Sequence, residues 1–395
     1  MHDRQTKTPV YYRHPPKAAC TEHYGPSSWI ELSRVAFNHN IDQLAAICSE
    51  QIAVVVKSNA YGHGLLEIGQ LCQEHERVTF LCVALLSEAL ALRAAGITKP
   101  IMVMSFVDVD PTAAANQDIH FFVSTMRQVK ELDDAGRMTG AIFDLHLKID
   151  TGLSRFGVMP DDALALVEEV VRCRGVWLVG VCTHFAQSQI CSSNYTEQQH
   201  AAFASVCQQL EGAGIAPQYI HCSNSSGALR GMPGCNMVRV GAVAYGLWPS
   251  RELRSVVQRQ HKGLTLKPVL SWKTRIAELR QIPADTCVGY TCRFKTTRPT
   301  RVAILPVGYA DGYSTRFFAG GQVSIGDTPV PIIGSIAMNT IMVDVTDLAE
   351  VNRGQEVMLL GQYASISVDA LATRVGCNVR EIMASINSSL PRKAV

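Results

Sequence analysis

The sequence predicts two domains: a closed parallel (β/α)8 barrel, the TIM-barrel architecture, over residues 28–260, and a mostly-β domain over residues 261–395. Two observations carry this. Short apolar, strand-like runs recur as far as residue 240, most of them separated by stretches of helical period. Past about residue 260 the texture changes, and strands follow one another closely with turn residues about every eight to twelve positions. A length of 395 residues itself favours roughly two domains.

In chain order, residues 1–27 are polar and proline-bearing and read as a flexible extension. Trp29–Phe37 opens with a short strand and passes into a helix through Leu44. Ile52–Val56 is a β-branched run, too short for a helix, and reads as a buried strand. Further strands are expected at Phe80–Ala84, Ile101–Ser105, Phe121–Ser124, Ile142–Ile149, Trp177–Thr183, Gln218–Cys222 and Met237–Val240. Ser87–Ala95, Asp161–Arg172 and Tyr195–Gly212 carry helical period between them. A doubly wound open sheet would give a similar rhythm. A barrel makes a sharper demand, that reactive residues fall just after the apolar runs. In the second domain, helical period returns only at Val368–Val375.

Apolar residues make up 47% and charged residues 18%, the balance of a soluble, enzyme-sized protein with ample core. A net charge of +2 gives no reason to expect nucleic acid or an anionic membrane as partner. No segment has the apolar length of a membrane span. The thirteen cysteines are odd in number, scattered and without a C-x-x-C pair, which suits reduced thiols in the cytoplasm and no metal site.

Several strand ends carry chemistry. Lys57 follows Val56, where Ser58, Asn59 and Gly62 break the strand into a loop. It is either an amine held to form a Schiff base with a carbonyl compound or a lysine snorkelling past a strand end. His146-Leu-Lys148-Ile-Asp150-Thr-Gly-Leu-Ser-Arg155-Phe-Gly157 closes another strand, as a functional cluster or an exposed ion-pair group. His184 follows a third, where a lone histidine is more often a packing residue. Asn224, Ser225 and Ser226 form a helix N-cap with hydroxyls and N–H groups suited to phosphate. In Arg239-Val-Gly241-Ala242 the glycine permits close backbone approach.

Val55-Val-Lys57-Ser-Asn-Ala-Tyr61-Gly-His-Gly64 resembles the pyridoxal-phosphate attachment segment of the alanine racemase family, in which the lysine is the Schiff-base residue. The remaining segments match in family order over roughly residues 28–392. The resemblance assigns Tyr61, Ser225, Gly241 and Ala242 to the phosphate of pyridoxal 5'-phosphate, with Asn224 beside them, and Arg239 to the pyridine nitrogen. It places His184 beside a catalytic tyrosine in a hydrogen-bonded chain leading to Arg239. Arg155 would reach the substrate carboxylate, oriented by Lys148, a lysine often carbamylated in the family. An always-charged arginine at the ring nitrogen keeps it unprotonated, which disfavours transamination.

Racemisation needs acid–base groups on both faces of Cα. The resemblance gives these roles to Lys57 and to Tyr290, from Val288-Gly-Tyr290-Thr, which in the family enters the partner subunit's site. Tyr309 falls in the substrate-access segment, and the Met338 backbone N–H meets the substrate carboxylate, next to Asn339. A head-to-tail homodimer with composite sites is therefore expected. Five positions depart from the usual pattern: Gln189, Ser335, Ala337, Asn339 and Ser388, the last standing where well-known alanine-specific members carry tyrosine. Such changes would widen the approach for serine, lysine or arginine, or be neutral drift around alanine. Two rivals remain. A non-catalytic pyridoxal-phosphate carrier would lack the second domain, and a basic amino-acid decarboxylase would oppose the pyridine nitrogen with a carboxylate rather than Arg239.

Overall fold

The computed structural model describes residues 26–395. The extension expected at 1–27 lies, but for its last two residues, outside the described residues.

The first strand, β1 (Ser28–Leu32), precedes a helix at Arg34–Ala45 that Ser33 caps by accepting from the Ala36 N–H. The next eight strands form one parallel sheet: β2 (Gln51–Val55), β3 (Val78–Leu85), β4 (Ile101–Phe106), β5 (Ile119–Val123), β6 (Phe143–Lys148), β7 (Val176–Cys182), β8 (Tyr219–His221) and β9 (Met237–Val240). From β2 to β8 each strand pairs with the next in sequence, and β9 pairs with β2 rather than with β8. The seam between β8 and β9 is bridged by backbone bonds from Asn236 to Ile220 and from Arg239 to Ser223. The sheet is thus a closed barrel, and its strands coincide with the eight apolar runs of the sequence. Ala53, Val55, Phe80, Met102, Phe122 and Cys182 fill its interior.

The second domain contributes β10 (Leu270–Arg275), β11 (Glu278–Ile282), the short hairpin β12 (Cys287–Val288) and β13 (Phe294–Lys295), then β14 (Thr300–Leu305), β15 (Gln322–Ile325), β16 (Thr328–Ile333), β17 (Ile341–Asp344), β18 (Glu356–Leu360) and β19 (Arg392–Ala394). A nine-stranded sheet runs β11-β14-β17-β16-β15-β18-β10-β1-β19.

One expectation is corrected here. The sequence groups residues 28–32 with the barrel, yet β1 pairs antiparallel with β10 and parallel with β19. The reason is partner supply: the barrel closes on itself without β1, whose mostly buried residues need cover on both faces. The chain therefore begins in one domain, builds the other and comes back. A second helix at Val379–Ala384, capped by Asn378, joins the expected Val368–Val375. It packs on the segment that follows β2: a Cβ on Gly62 would lie 1.9 Å from the Met383 carbonyl oxygen, so only glycine allows the approach.

Candidate active site

The segment after β2 is not an ordinary loop. Ser58, Asn59, Ala60 and Tyr61 have φ of 54, 53, 51 and 55°, a left-handed turn built from non-glycine residues. Each such residue costs about 1–2 kcal/mol, so the surroundings must enforce the turn. They do so from several directions. Glu88 accepts from the Ser58 N–H at 2.7 Å, and the Asn59 side chain accepts from the Leu65 N–H at 2.9 Å. Arg392 donates to the Gly62 carbonyl at 2.9 Å from the second domain. The turn points Lys57 and Tyr61 into one cavity at the C-terminal mouth of the barrel.

That cavity, of about 430 Å³, gathers Lys57, Tyr61, Lys148, Arg155, His184, Asn224, Ser225, Arg239, Gly241 and Ala242, every barrel residue the sequence pointed to. Among the described residues five cations face it, since Arg380 joins Lys57, Lys148, Arg155 and Arg239, and no carboxylate lines it. The consequence is electrostatic. Burial, with Arg155 beside it, holds the Lys57 amine below the usual lysine range. Burial pushes Lys148 down to about 8, with Arg155, Arg239 and Lys57 adding to the effect against Cys182. Such a space demands an anion.

The far side is cut for a group that sits against backbone. The Gly241 N–H donates to the Ser225 hydroxyl at 3.0 Å, and a Cβ on Gly241 would lie 2.7 Å from the Tyr61 hydroxyl. Asn224 accepts from the N–H groups of Ser226 and Gly227 at 3.0 and 3.1 Å, fixing the turn that carries Ser225.

Arg239 has different neighbours from those expected. Its guanidinium donates to the ring and the carbonyl of His221 and, at 2.6 Å, to the Thr183 carbonyl. Among the described residues no hydrogen bond joins it to His184, because both of its terminal nitrogens are turned toward β8 and the end of β7. Burial, followed by the Arg239 charge, keeps the His184 imidazole well below its ordinary value, hence neutral.

Tyr290, Tyr309, Met338 and Asn339 are elsewhere. They are exposed (73%, 45% and 55% for the first three) and none lines the cavity. The Ser335 hydroxyl donates to the Tyr290 carbonyl, and the Tyr309 and Ala310 N–H groups bond the carbonyls of Ala337 and Met338. They form one face of the second domain. Of the departing positions, Gln189 lines the cavity and Ser388 does not, its carbonyl being held by Arg392.

Family comparisons match this geometry. The family model described as "Alanine racemase, N-terminal domain" matches residues 32–249, and "Alanine racemase, C-terminal domain" matches 269–394. The chain belongs to the alanine racemase family. An alanine racemase of Clostridium perfringens is 35% identical over 92% of this chain and 94% of its own length. One from Methanococcus maripaludis is 32% identical over 92% and 97%. Among solved structures, the alanine racemase of Clostridium difficile 630 superposes with a TM-score of 0.88 at 26% identity, covering 94% of this chain and 96% of that one. The Bacillus anthracis enzyme with bound L-Ala-P gives 0.83 at 30%, over 94% and 96%.

The cofactor implied by family membership fits the cavity. Five cations with no carboxylate among the described lining residues suit a phosphorylated aldehyde and an amino-acid carboxylate, and the glycine cradle at 241 leaves room against the backbone. Sequence reasoning missed Arg380. It stands 323 positions after Lys57 and carries no local motif, and only the packing of the Val379–Ala384 helix brings it to the cavity.

Proposed function

We propose that this protein is an alanine racemase that interconverts L- and D-alanine using pyridoxal 5'-phosphate. The observation that carries the reading is the Lys57 amine, half-buried at the mouth of a cavity ringed by cations and, among the described residues, free of carboxylates. When bound, the cofactor supplies an aldehyde for amine exchange and a conjugated ring that acidifies the Cα–H bond.

The chain's own residues do the rest. Tyr61, Ser225, Gly241 and Ala242, which line the cavity, would hold the phosphate, with Asn224 bracing the turn that carries Ser225. Arg239 would face the ring nitrogen with an N–H that its bonds to His221 and Thr183 leave free, and would keep that nitrogen unprotonated. Arg155 grips the substrate carboxylate, with Lys148 beside it. Lys57, with an amine whose lowered basicity lets it shed a proton, serves one face of Cα. Tyr290 serves the other face.

Tyr290 stands exposed and outside its own subunit's cavity, which supports a head-to-tail homodimer in which each second domain completes its partner's site. The β domain from 261 would then serve two cavities, lending Arg380 to its own barrel and Tyr290 to its partner's. Met338 and Asn339, near Tyr309, would arrive at the substrate carboxylate by the same route. The setting we infer is the cytoplasm, where D-alanine supply is the role such an activity would serve.

The relatives' names favour alanine over serine, lysine or arginine. Chiral chromatography of reactions with each L-amino acid tests this. D-alanine as the main product is expected. No D-product from any substrate, with cofactor bound, would leave a non-catalytic pyridoxal-phosphate protein.

A further inference from the structure

Arg239 is the end of a longer line. Its guanidinium donates to His221 Nδ1. His221 Nε2 lies 2.9 Å from His146 Nδ1, and His146 Nε2 lies 3.1 Å from His120 Nδ1. His120 Nε2 faces Asp118 at 3.3 Å and Asp144 at 3.6 Å. His120, His146, His221 and Arg239 are all buried, whereas both carboxylates reach solvent. Asp118 precedes β5 and Asp144 opens β6, so they stand at the N-terminal mouth of the barrel. The line runs through the barrel interior from that mouth to the cavity at the other.

Its polarity is fixed from both ends. Arginine has only donors, so His221 Nδ1 accepts and its proton is on Nε2. That proton is given to His146 Nδ1, which puts the His146 proton on Nε2, and the same step repeats at His120. His120 Nε2–H is then donated to the carboxylates, which only accept. The two ends demand the same direction. Three neutral imidazoles satisfy every link, and burial holds His146 and His221 well below the ordinary histidine value. An added proton on any ring would turn the chain and set two donors face to face at Arg239.

The barrel makes room for this line. His146 pairs with Gly180 at a register shift, and a Cβ on Gly180 would lie 2.1 Å from His146 Nδ1. Phe80 and Phe122 sheathe the rings, Tyr219 stacks on His146, and the Arg239 guanidinium lies over Phe122. Besides the two carboxylates, the phenol of Tyr219 is the titratable group beside His120. Lys148 and the thiols of Cys82 and Cys182 lie near the Arg239 end.

We propose that His221, His146 and His120 are positioning residues for Arg239. They form a one-way hydrogen-bonded chain through the barrel that ties its guanidinium to Asp118 and Asp144 and fixes which of its N–H groups face the cavity. The chain stands without any cofactor, and only its catalytic consequence rests on the function proposed above.

The test begins on the apoprotein with 15N-labelled histidine, reading ring tautomers by long-range 15N–1H NMR. All three rings are expected as Nε2–H tautomers, the direction that Arg239 at one end and the carboxylates at the other demand. An Nδ1–H tautomer or an imidazolium at any of them overturns the proposal. In the holoenzyme, His120→Phe is expected to lower kcat about tenfold with KM within about twofold, the low end of what loss of an outer hydrogen-bond partner costs at ligand-holding sites. It should also raise the fraction of turnovers lost to transamination. His120→Asn, whose oxygen can accept from His146, should keep the tautomers and most of kcat. Asp118→Asn with Asp144→Asn, at solvent-reaching positions, keeps the question answerable if His120→Phe does not fold, and should scramble the His120 tautomer. Unchanged tautomers and kcat in the folded variants would overturn the positioning role. If the apoprotein shows the expected tautomers but takes up no pyridoxal phosphate, the function proposed above fails and the chain stands.

Discussion

The Lys57 cavity and the Tyr290 face are built on opposite principles. The first is a recessed cavity lined by five cations, of which Lys148 and Arg239 are buried, and held by a strained left-handed turn that both domains brace. The second is exposed, assembled from loop ends, and contacts none of the cavity. Strain and buried charge persist only where surrounding structure over-determines them. The barrel side is thus organised within one chain, whereas the Tyr290 face is organised to meet something else. The contrast suits a site whose binding half is internal and whose second base comes from another subunit.

Four changes probe that contrast, in falling order of effect. Lys57→Ala should cut racemisation by at least about 10³-fold, since it removes both the attachment amine and one acid–base group; the rate of D-alanine formation reads this. Lys148 gives the next largest effect, on apoprotein stability. Its folded value of about 8 lies below its ordinary 10.5. The unfolded chain therefore binds the proton more tightly, and the folded state carries a penalty below pH 8 that fades as pH rises toward 10.5. Lys148→Met should lift stability at pH 7 by up to about 3 kcal/mol and flatten its rise with pH, as denaturant titrations at several pH values would report. An unchanged slope would mean the amine is already neutralised, as carbamylation would do.

Gly241→Ala comes third. The added methyl meets the Tyr61 hydroxyl, so cofactor affinity should fall by about tenfold or more, roughly 1.4 kcal/mol, by absorbance titration, with little change in the fold. Ser58→Gly is the smallest and has an inverted sign. Exposed residues usually lose stability on going to glycine, but at φ 54° the change should leave stability unchanged or raise it by about 1 kcal/mol. A loss of that size in thermal unfolding would mean that the turn is not left-handed.

The sequence made the barrel legible because buried parallel strands leave continuous apolar runs, and each run ended where its reactive residue stood. Lys57, Lys148, Arg155 and Arg239 could therefore be picked out as strand-end residues from local segments, and the resemblance to the family gave them roles. Other features leave no such trace. The membership of β1 in the second sheet depends on partners more than two hundred residues away. The left-handed turn at 58–61 violates the local preference of Ala60 and Tyr61, so propensity points away from it. Arg380 reaches the cavity by tertiary packing. Of the histidine line, only His146 falls in a segment with a signal, because the link from ring to ring is made across the barrel and not along the chain.

The most direct measurement of the composite site mixes two inactive variants. Lys57→Ala and Tyr290→Phe proteins are purified, mixed under subunit exchange and assayed for D-alanine formation. A mixed dimer has one site with both wild-type bases, so recovery toward about a quarter of wild-type activity is expected at statistical exchange. Activity no greater than the sum of the two variants, with exchange demonstrated by mass, would contradict a Tyr290 supplied by the partner.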